Sequence, residues 1–155
     1  MDNATAHLEH AIQLAYDNVR AHGGRPFGAV LTRDGEVIAA GVNTFMATGD
    51  PTAHAELEAL RAAGREGAFN KPGEFVMYAS GNPCPMCQAA MTLLGVDAVY
   101  YAYSNAEGEE YGLSTADIEE ELAKPASARR MKFVHERVRV DGADPYQAWR
   151  DLTAK

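Results

Sequence analysis

The spacing of apolar residues at the start of the chain predicts a helix followed by a hairpin. From about Asn3 to Ala21, apolar residues recur every three to four positions, which is the period of a helix with one buried face. The segment "HGGR" then ends this helix. The next two apolar segments, "FGAVLT" and "EVIAAGV", flank "RDG", and Asp-Gly is typical of a tight turn between antiparallel strands.

The middle of the chain alternates between helical and extended patterns. "DPTAHAELEALRAAG" predicts a helix with Asp50 or Thr52 as its cap and Gly64 at its end. "EFVMYAS" and "AVYYAYS" are short apolar segments typical of strands buried on both faces. Between them, "CPMCQAAMTLLG" predicts a helix that ends at Gly95. This order of strand, helix and strand predicts a parallel pair with a crossover connection.

The last third of the chain completes the expected fold. "STADIEEELAKP" predicts a helix that ends before Pro125, "KFVHERVRV" alternates like a strand, and "DPYQAWRDL" begins like a short helix. We therefore expect an α/β fold, a three-layer α/β/α sandwich with a mixed sheet of about five strands. No repeat or linker interrupts residues 1–155, and this length can bury a sizeable core, so we expect a single domain.

Composition and charge exclude several classes of protein. The 46% hydrophobic and 23% charged residues are typical of a soluble globular protein, and no apolar run is long enough for a membrane span. Two cysteines cannot form a disulfide framework, so we expect a cytoplasmic location and no membrane association. The net charge of −8 argues against non-specific binding of nucleic acid, which needs a basic face.

The two cysteines carry the first chemical signal. Cys84 and Cys87 stand three positions apart in "GNPCPMC", a spacing that suits a redox dithiol, half of a structural zinc site, or two ligands of a catalytic metal. "DPTAHAE" adds His54 and Glu56. Two thiolates and one imidazole make three zinc ligands and leave a fourth position for water, which is typical of catalytic zinc. Glu56 would then be free to take a proton from that water.

The combination is more specific than its parts. H-x-E followed by P-C-x-x-C is the signature of zinc-dependent nucleobase deaminases. The chain resembles the cytidine-deaminase-like superfamily, and within it the bacterial guanine deaminases, through "PFGAV", "DPTAHAE", "PCPMC", "KPA" and "DPYQAWR" in that order. The resemblance implies a cytidine deaminase-like fold, Zn²⁺ held by His54, Cys84 and Cys87, and Glu56 as the catalytic proton shuttle.

The resemblance also implies further site residues and an assembly. Asn43 would bond the substrate ring, and Phe27 would form an apolar wall or a stacking surface. Backbone N–H groups near Ala55 and Cys84 would stabilise the developing tetrahedral centre. We expect a small nucleobase-like substrate and a homodimer in which a C-terminal segment, about residues 125–155, is exchanged between subunits.

Several departures from the guanine deaminase pattern concern the substrate. Asn82 stands where the family usually has Glu before Pro-Cys, and Arg25 replaces a usual Gly. "GLST", which ends with Ser114 and Thr115, stands where guanine deaminases carry Gly-Phe-Asp-Asp, so the purine-binding carboxylate is absent. The chain also ends with "DLTAK", without the family's terminal aromatic residue.

These departures leave several substrates open. Guanine is the first expectation, and cytosine or a nucleoside such as guanosine or cytidine is the alternative. A tRNA adenosine deaminase shares "HAE" and "PCxMC", but the net charge of −8 and the acidic "EGEEYG" and "IEEEL" segments disfavour it. A redox or structural-zinc binding module is the alternative from a different class.

Overall fold

The structure is a computed structural model that describes residues 3–154. Its strands are β1 (Gly28–Arg33), β2 (Glu36–Val42), β3 (Phe75–Gly81) and β4 (Ala98–Tyr103). Its helices are α1 (Ala4–His22), α2 (Phe45–Thr48), α3 (Ala55–Arg65), α4 (Pro85–Leu94), α5 (Asn105–Gly108), α6 (Ala116–Ala123) and α7 (Pro145–Thr153). Contacts divide the chain into two units, Met1–Ala123 and Lys124–Lys155. Within residues 3–154, no helix combines the length and apolar content that crossing a membrane requires.

The first unit is built on one mixed sheet with strand order β2-β1-β3-β4. Strand β1 pairs antiparallel with both β2 and β3, whereas β3 and β4 are parallel. The predicted hairpin turns at Asp34 and Gly35, whose φ angles are 51° and 84°, so the Asp-Gly pair supplies the left-handed backbone that this turn needs. Helix α4 connects the two parallel strands, as the sequence predicted.

Helices cover both faces of the sheet, because alternate residues of β1 and β3 point to opposite sides. One core joins the sheet to α3 and α4, and its buried strand residues are Ala29, Leu31, Phe75 and Met77. The other core joins the sheet to α1, and its buried strand residues are Val30, Val76 and Tyr78. All seven residues of β3 are buried. The predicted three-layer α/β/α arrangement is therefore confirmed.

Gly41 in β2 allows helix α3 to lie very close to the sheet. A Cβ atom at this position would stand 2.5 Å from the carbonyl oxygen of Ala55 and 2.7 Å from the nitrogen of Ala59. Both distances are well inside van der Waals contact, so an unsubstituted Cα is what this packing requires. Because α3 begins at Ala55, the contact sets the position of the helix start relative to the sheet.

The predicted fifth strand is wrong. Among residues 3–154 the sheet has four strands, and residues 132–140 form no strand ladder despite their alternating pattern. A strand requires a hydrogen-bonded neighbour, which alternation alone does not supply. Every residue from 130 to 154 is exposed, including those of α7. Asp144 caps α7 by accepting hydrogen bonds from the N–H groups of Tyr146 and Gln147.

The prediction that "AVYYAYS" is buried on both faces is also wrong. Strand β4 lies at the edge of the sheet, and Tyr100, Tyr101 and Tyr103 are 42%, 47% and 53% exposed. A short apolar segment does not distinguish a central strand from an edge strand, because both need β-forming residues.

Helix α3 begins later than predicted. Its first residue is Ala55 and its N-cap is His54, so neither Asp50 nor Thr52 caps it. Asp50 instead accepts hydrogen bonds from the backbone N–H and the hydroxyl of Thr52 at 2.8 and 2.7 Å. Such local side-chain bonds offer the backbone an alternative to the helix. The helix also continues through Gly64 to Arg65.

Candidate active site

The structure brings the three predicted metal ligands together. His54 and Cys84 are the N-cap residues of α3 and α4, and neither side chain caps its helix. His54 Nδ1 lies 3.4 Å from Cys84 Sγ and 3.6 Å from Cys87 Sγ, and the two sulfurs are 3.7 Å apart. Two helix N-termini therefore converge on one cluster of ligand atoms.

These distances fit a tetrahedral zinc ion. With Zn–S of about 2.3 Å and Zn–N of about 2.0 Å, tetrahedral geometry separates two sulfurs by about 3.8 Å and a sulfur from a nitrogen by about 3.5 Å. The three observed separations, 3.4, 3.6 and 3.7 Å, match these edges. A set of two sulfurs and one imidazole also has the softness that zinc prefers over magnesium or calcium.

The first negative charge of the cluster lies on Cys84. The hydrogen bond with Cys87 lowers the pKa of Cys84 to about 4, with a further contribution from His54. The same hydrogen bond, together with burial, raises the pKa of Cys87, so Cys84 ionises first. The hydrogen bond to Cys84 raises the pKa of His54, against burial and the guanidinium of Arg25. A bound divalent cation would take both sulfurs as thiolates and the imidazole as neutral.

Glu56 lies beside the cluster without being needed as a ligand. It belongs to the first turn of α3 and is 5% exposed. The thiol of Cys87 donates a hydrogen bond to Glu56 Oε2 at 3.3 Å. Burial raises the pKa of this carboxyl group, although the hydrogen bonds it accepts oppose the rise. A carboxyl group with a raised pKa is suited to accept and return a proton near neutral pH.

One cavity of about 250 Å³ joins the cluster to the predicted substrate-binding residues. Its lining includes His54, Glu56, Cys84, Phe27, Asn43 and Ser114. Phe27 also packs against the buried core, so the structure places this residue both in the core and at the cavity. Ala55 is 0% exposed and is the first residue of α3. Its backbone N–H, which has no partner within the helix, is therefore the group suited to the predicted stabilisation of a tetrahedral centre.

Asn43 presents a hydrogen-bond donor to the cavity. It is 3% exposed, and its Oδ1 accepts a hydrogen bond from the N–H of Phe45 at 3.0 Å. Its own backbone N–H donates to the carbonyl oxygen of Phe27 at 3.1 Å. Asn43 lines the cavity, and the bond from Phe45 fixes Nδ2 as the donor end of its side-chain amide.

Ser114 and Thr115, the two residues before helix α6, form another wall of the cavity. The hydroxyl of Ser114 accepts a hydrogen bond from the N–H of Ala116 at 3.3 Å, which ties this side chain to the start of the helix. Thr115 Oγ1 is buried, and within the described residues it has no hydrogen-bond partner. Both residues line the cavity, so hydroxyl groups occupy the wall where the sequence pattern predicted a missing carboxylate.

A polar network that the sequence did not reveal holds this wall against α4. Glu119 accepts hydrogen bonds from Gln88 Nε2 at 2.7 Å and from Asn105 Nδ2 at 3.3 Å. Asn105 Oδ1 in turn accepts from the N–H of Thr115 at 3.2 Å. These residues come from three separate elements and have no characteristic spacing, so sequence reasoning had no signal for them.

Comparison with known proteins identifies the family. Residues 1–103 match the family described as the cytidine and deoxycytidylate deaminase zinc-binding region. The chain belongs to this family. Members of the cytidine and deoxycytidylate deaminase family hold zinc, and the ligand cluster described above lies within the matched residues.

Individual relatives narrow the comparison. The guanine deaminase of Bacillus subtilis (strain 168) is 37% identical over 153 residues, which is 99% of this chain and 97% of the relative. The X-ray structure of guanine deaminase from Bacillus subtilis has a TM-score of 0.80 and covers 96% of this chain and 94% of that chain. A tRNA-specific adenosine deaminase of Agrobacterium fabrum is 36% identical over 107 residues, 66% of this chain and 70% of the relative. The predicted family and the class of hydrolytic deaminase are confirmed.

Proposed function

We propose that this deaminase uses zinc and acts on a nucleobase or a similar amino-heterocycle, with guanine as the first substrate. The observation that carries the proposal is the convergence of His54, Cys84 and Cys87 at the edge lengths of a zinc tetrahedron, beside the buried carboxyl group of Glu56. The similarity to guanine deaminase along nearly the whole chain supports the choice of substrate.

Different residues of the cavity would have different roles in the hydrolysis. Bound zinc would supply Lewis-acid polarisation and lower the pKa of water. Glu56 would take a proton from the attacking water and pass it to the ring nitrogen, then move the second water proton to the departing amine. The products are a ring carbonyl and ammonia. Asn43 would hold the ring through its Nδ2, and the Phe27 side chain would exclude water from one side.

A zinc-content measurement combined with an ammonia-release screen tests the proposal. Purified protein should hold about one zinc ion per chain. It should release ammonia from at least one substrate among guanine, guanosine, cytosine, cytidine and amino-triazines. A redox dithiol module would need no zinc, and a structural zinc module would hold zinc without releasing ammonia, so either result would overturn the proposal.

A second candidate is an adenosine deaminase that acts on tRNA. The similarity to a tRNA-specific adenosine deaminase over two thirds of the chain favours it. The net charge of −8 argues against it, because tRNA binding needs a positively charged surface. Adding tRNA to the same screen and measuring inosine separates the two candidates.

The absence of nucleic acid as a partner and the cytoplasmic location stay predictions.

We expect the substitution Ser114→Asp to raise kcat/KM for guanine by about 10- to 100-fold, because it adds a charged acceptor for the N–H groups of the ring. An aspartate side chain can accept the same hydrogen bond from the N–H of Ala116, so the start of α6 should survive the change. Steady-state kinetics with guanine check the result, and Ser114→Asn controls for shape without charge. If the unchanged protein already turns over guanine efficiently and Ser114→Asp brings no gain, the missing carboxylate does not limit this substrate.

We further propose a homodimer in which residues 125–155 are exchanged between subunits. Each unit leaves apolar surface exposed: the tyrosines of β4 in the first, and Phe133, Val134, Tyr146 and Trp149 in the second. Apolar surface of this extent is typical of an interface. Light scattering should therefore give the mass of two chains at micromolar concentration. The emission of the single tryptophan should shift to the red on dissociation, and a stable monomer would contradict the proposal.

A further inference from the structure

Asn18 of helix α1 ties together two loops that line the cavity. Its Nδ2 donates one hydrogen bond to the carbonyl oxygen of Arg25 at 2.8 Å and another to that of Asn43 at 2.9 Å. Asn18 is 4% exposed, so these bonds are shielded from competing water. Because one amide nitrogen makes both bonds, the two loops are held at a fixed separation.

The side chain of Arg25 is held as well. Its guanidinium carbon lies 4.8 Å from the centroid of the Phe45 ring, a cation–π contact. The N–H of Phe45 is bonded to Oδ1 of Asn43, so Asn18, Arg25, Phe45 and Asn43 form a closed ring of contacts. This ring keeps the guanidinium at the cavity that also contains His54.

The fixed polar groups around the cavity are mainly hydrogen-bond donors. A guanidinium has five N–H groups and no acceptor. The oxygen of Asn43 is occupied by Phe45, which leaves its amide nitrogen as a donor. The amide of Asn82 and the hydroxyls of Ser114 and Thr115 can donate or accept. Among the described residues that line the cavity, Glu56 is the one carboxylate, and proton transfer requires it.

We infer that Arg25 is a specificity-determining residue, positioned by Asn18, and that the cavity selects amino-heterocycles whose non-reacting edge carries an exocyclic oxygen or a ring anion. The inference rests on the proposed deaminase function and names the substrate class of the same site. A ring without such an acceptor leaves the donors of Arg25 and Asn43 unpaired once water is excluded, and unpaired donors weaken binding. Guanine, with its exocyclic carbonyl oxygen, belongs to the selected class, whereas adenine does not.

A matched pair of rings tests the inference by binding rather than turnover. Isocytosine and 2-aminopyrimidine share the amino-bearing carbon and differ in the exocyclic oxygen of isocytosine and the ring N–H that accompanies it. Calorimetric titration of zinc-loaded Glu56→Gln protein should show isocytosine binding about 10- to 100-fold more tightly, the range of a hydrogen bond to a charged donor. Adding Arg25→Gln should reduce this ratio at least about tenfold, and Arg25→Lys should restore part of it.

An unchanged ratio in the Arg25→Gln protein overturns the inference, and so does the failure of both rings to bind. These results differ from a failure of the proposed function. If the unaltered protein releases no ammonia from any substrate, the deaminase proposal fails, whereas an active enzyme with equal affinity for the two rings contradicts only the role of Arg25.

Asn18→Asp tests the positioning role, because it keeps the shape of the side chain and removes both donors. We expect KM for oxo-substituted substrates to rise about tenfold or more while kcat and zinc content change little, since the proton shuttle is untouched. A residue with a purely structural role would lower the melting temperature and leave KM unchanged, and that outcome contradicts positioning. Gln13→Ala is the control, because Gln13 lies on the same helix and its Nε2 donates a hydrogen bond to exposed Asp17.

Discussion

Replacing Glu56 with glutamine should lower kcat by about 100- to 10,000-fold, which is the usual contribution of a general acid–base group. The amide keeps the size of the side chain but cannot accept a proton from water and return it to the substrate. Zinc content should stay near that of the unchanged protein, because the proposed ligands are His54, Cys84 and Cys87 and do not include Glu56. Steady-state ammonia release and elemental analysis of the same samples check both statements.

The matched control is Glu58→Gln, two residues along the same helix. Glu58 pairs with Arg61 and does not line the cavity, so its replacement by glutamine should leave turnover nearly unchanged. Should the Glu56→Gln protein lose its zinc in parallel with its activity, Glu56 would have to be reassigned as a ligand.

Substitution of a single zinc ligand should remove metal and activity together. In Cys87→Ser the soft thiolate is lost from a site where that residue is 0% exposed, so the remaining Cys84 and His54 hold zinc only weakly. Zinc that binds only the folded protein stabilises it, by about 4 kcal/mol when its concentration is 1,000 times the dissociation constant. A chelator should therefore lower the melting temperature of the unchanged protein and have little effect on Cys87→Ser.

Differential scanning calorimetry with and without a chelator, together with elemental analysis, measures these effects. His22→Ala is a suitable control, because His22 is exposed at the last turn of α1, away from the cluster. A Cys87→Ser protein that keeps a full complement of zinc would show that the cluster is not the metal site.

The ligand cluster was predictable from sequence because metal sites impose spacing. Cys84 and Cys87 lie within one helical turn, which lets both reach one ion, and so short a separation is recognisable in the sequence. His54 and Glu56 are similarly close in sequence. The layers of the fold followed from periodicity, since β1 and β3 alternate between two cores and α1 repeats at helical spacing.

Other features depend on which segments meet in space. The alternation of residues 132–140 indicates a strand but not its partner, and the apolar content of β4 does not place it at an edge. Asn18 looks like a solvated helix residue in the sequence, yet it is buried between two loops. The predicted start of α3 depended on whether the Asp50 side chain accepts hydrogen bonds from N–H groups of a helix or from a local turn, and sequence alone does not distinguish the two.

The absent side chain at Gly41 has a consequence for any attempt to redesign this enzyme. His54 and Glu56 lie at the start of helix α3 and move with it, whereas Cys84 and Cys87 lie at the start of α4. A methyl group at position 41 would push α3 away from the sheet, because its nearest neighbours, at 2.5 and 2.7 Å, are backbone atoms of α3 that cannot rotate away. Coordination tolerates displacements of only a few tenths of an ångström. A strand residue that does not line the cavity therefore helps to set the positions of His54 and Glu56 relative to the cysteines of α4.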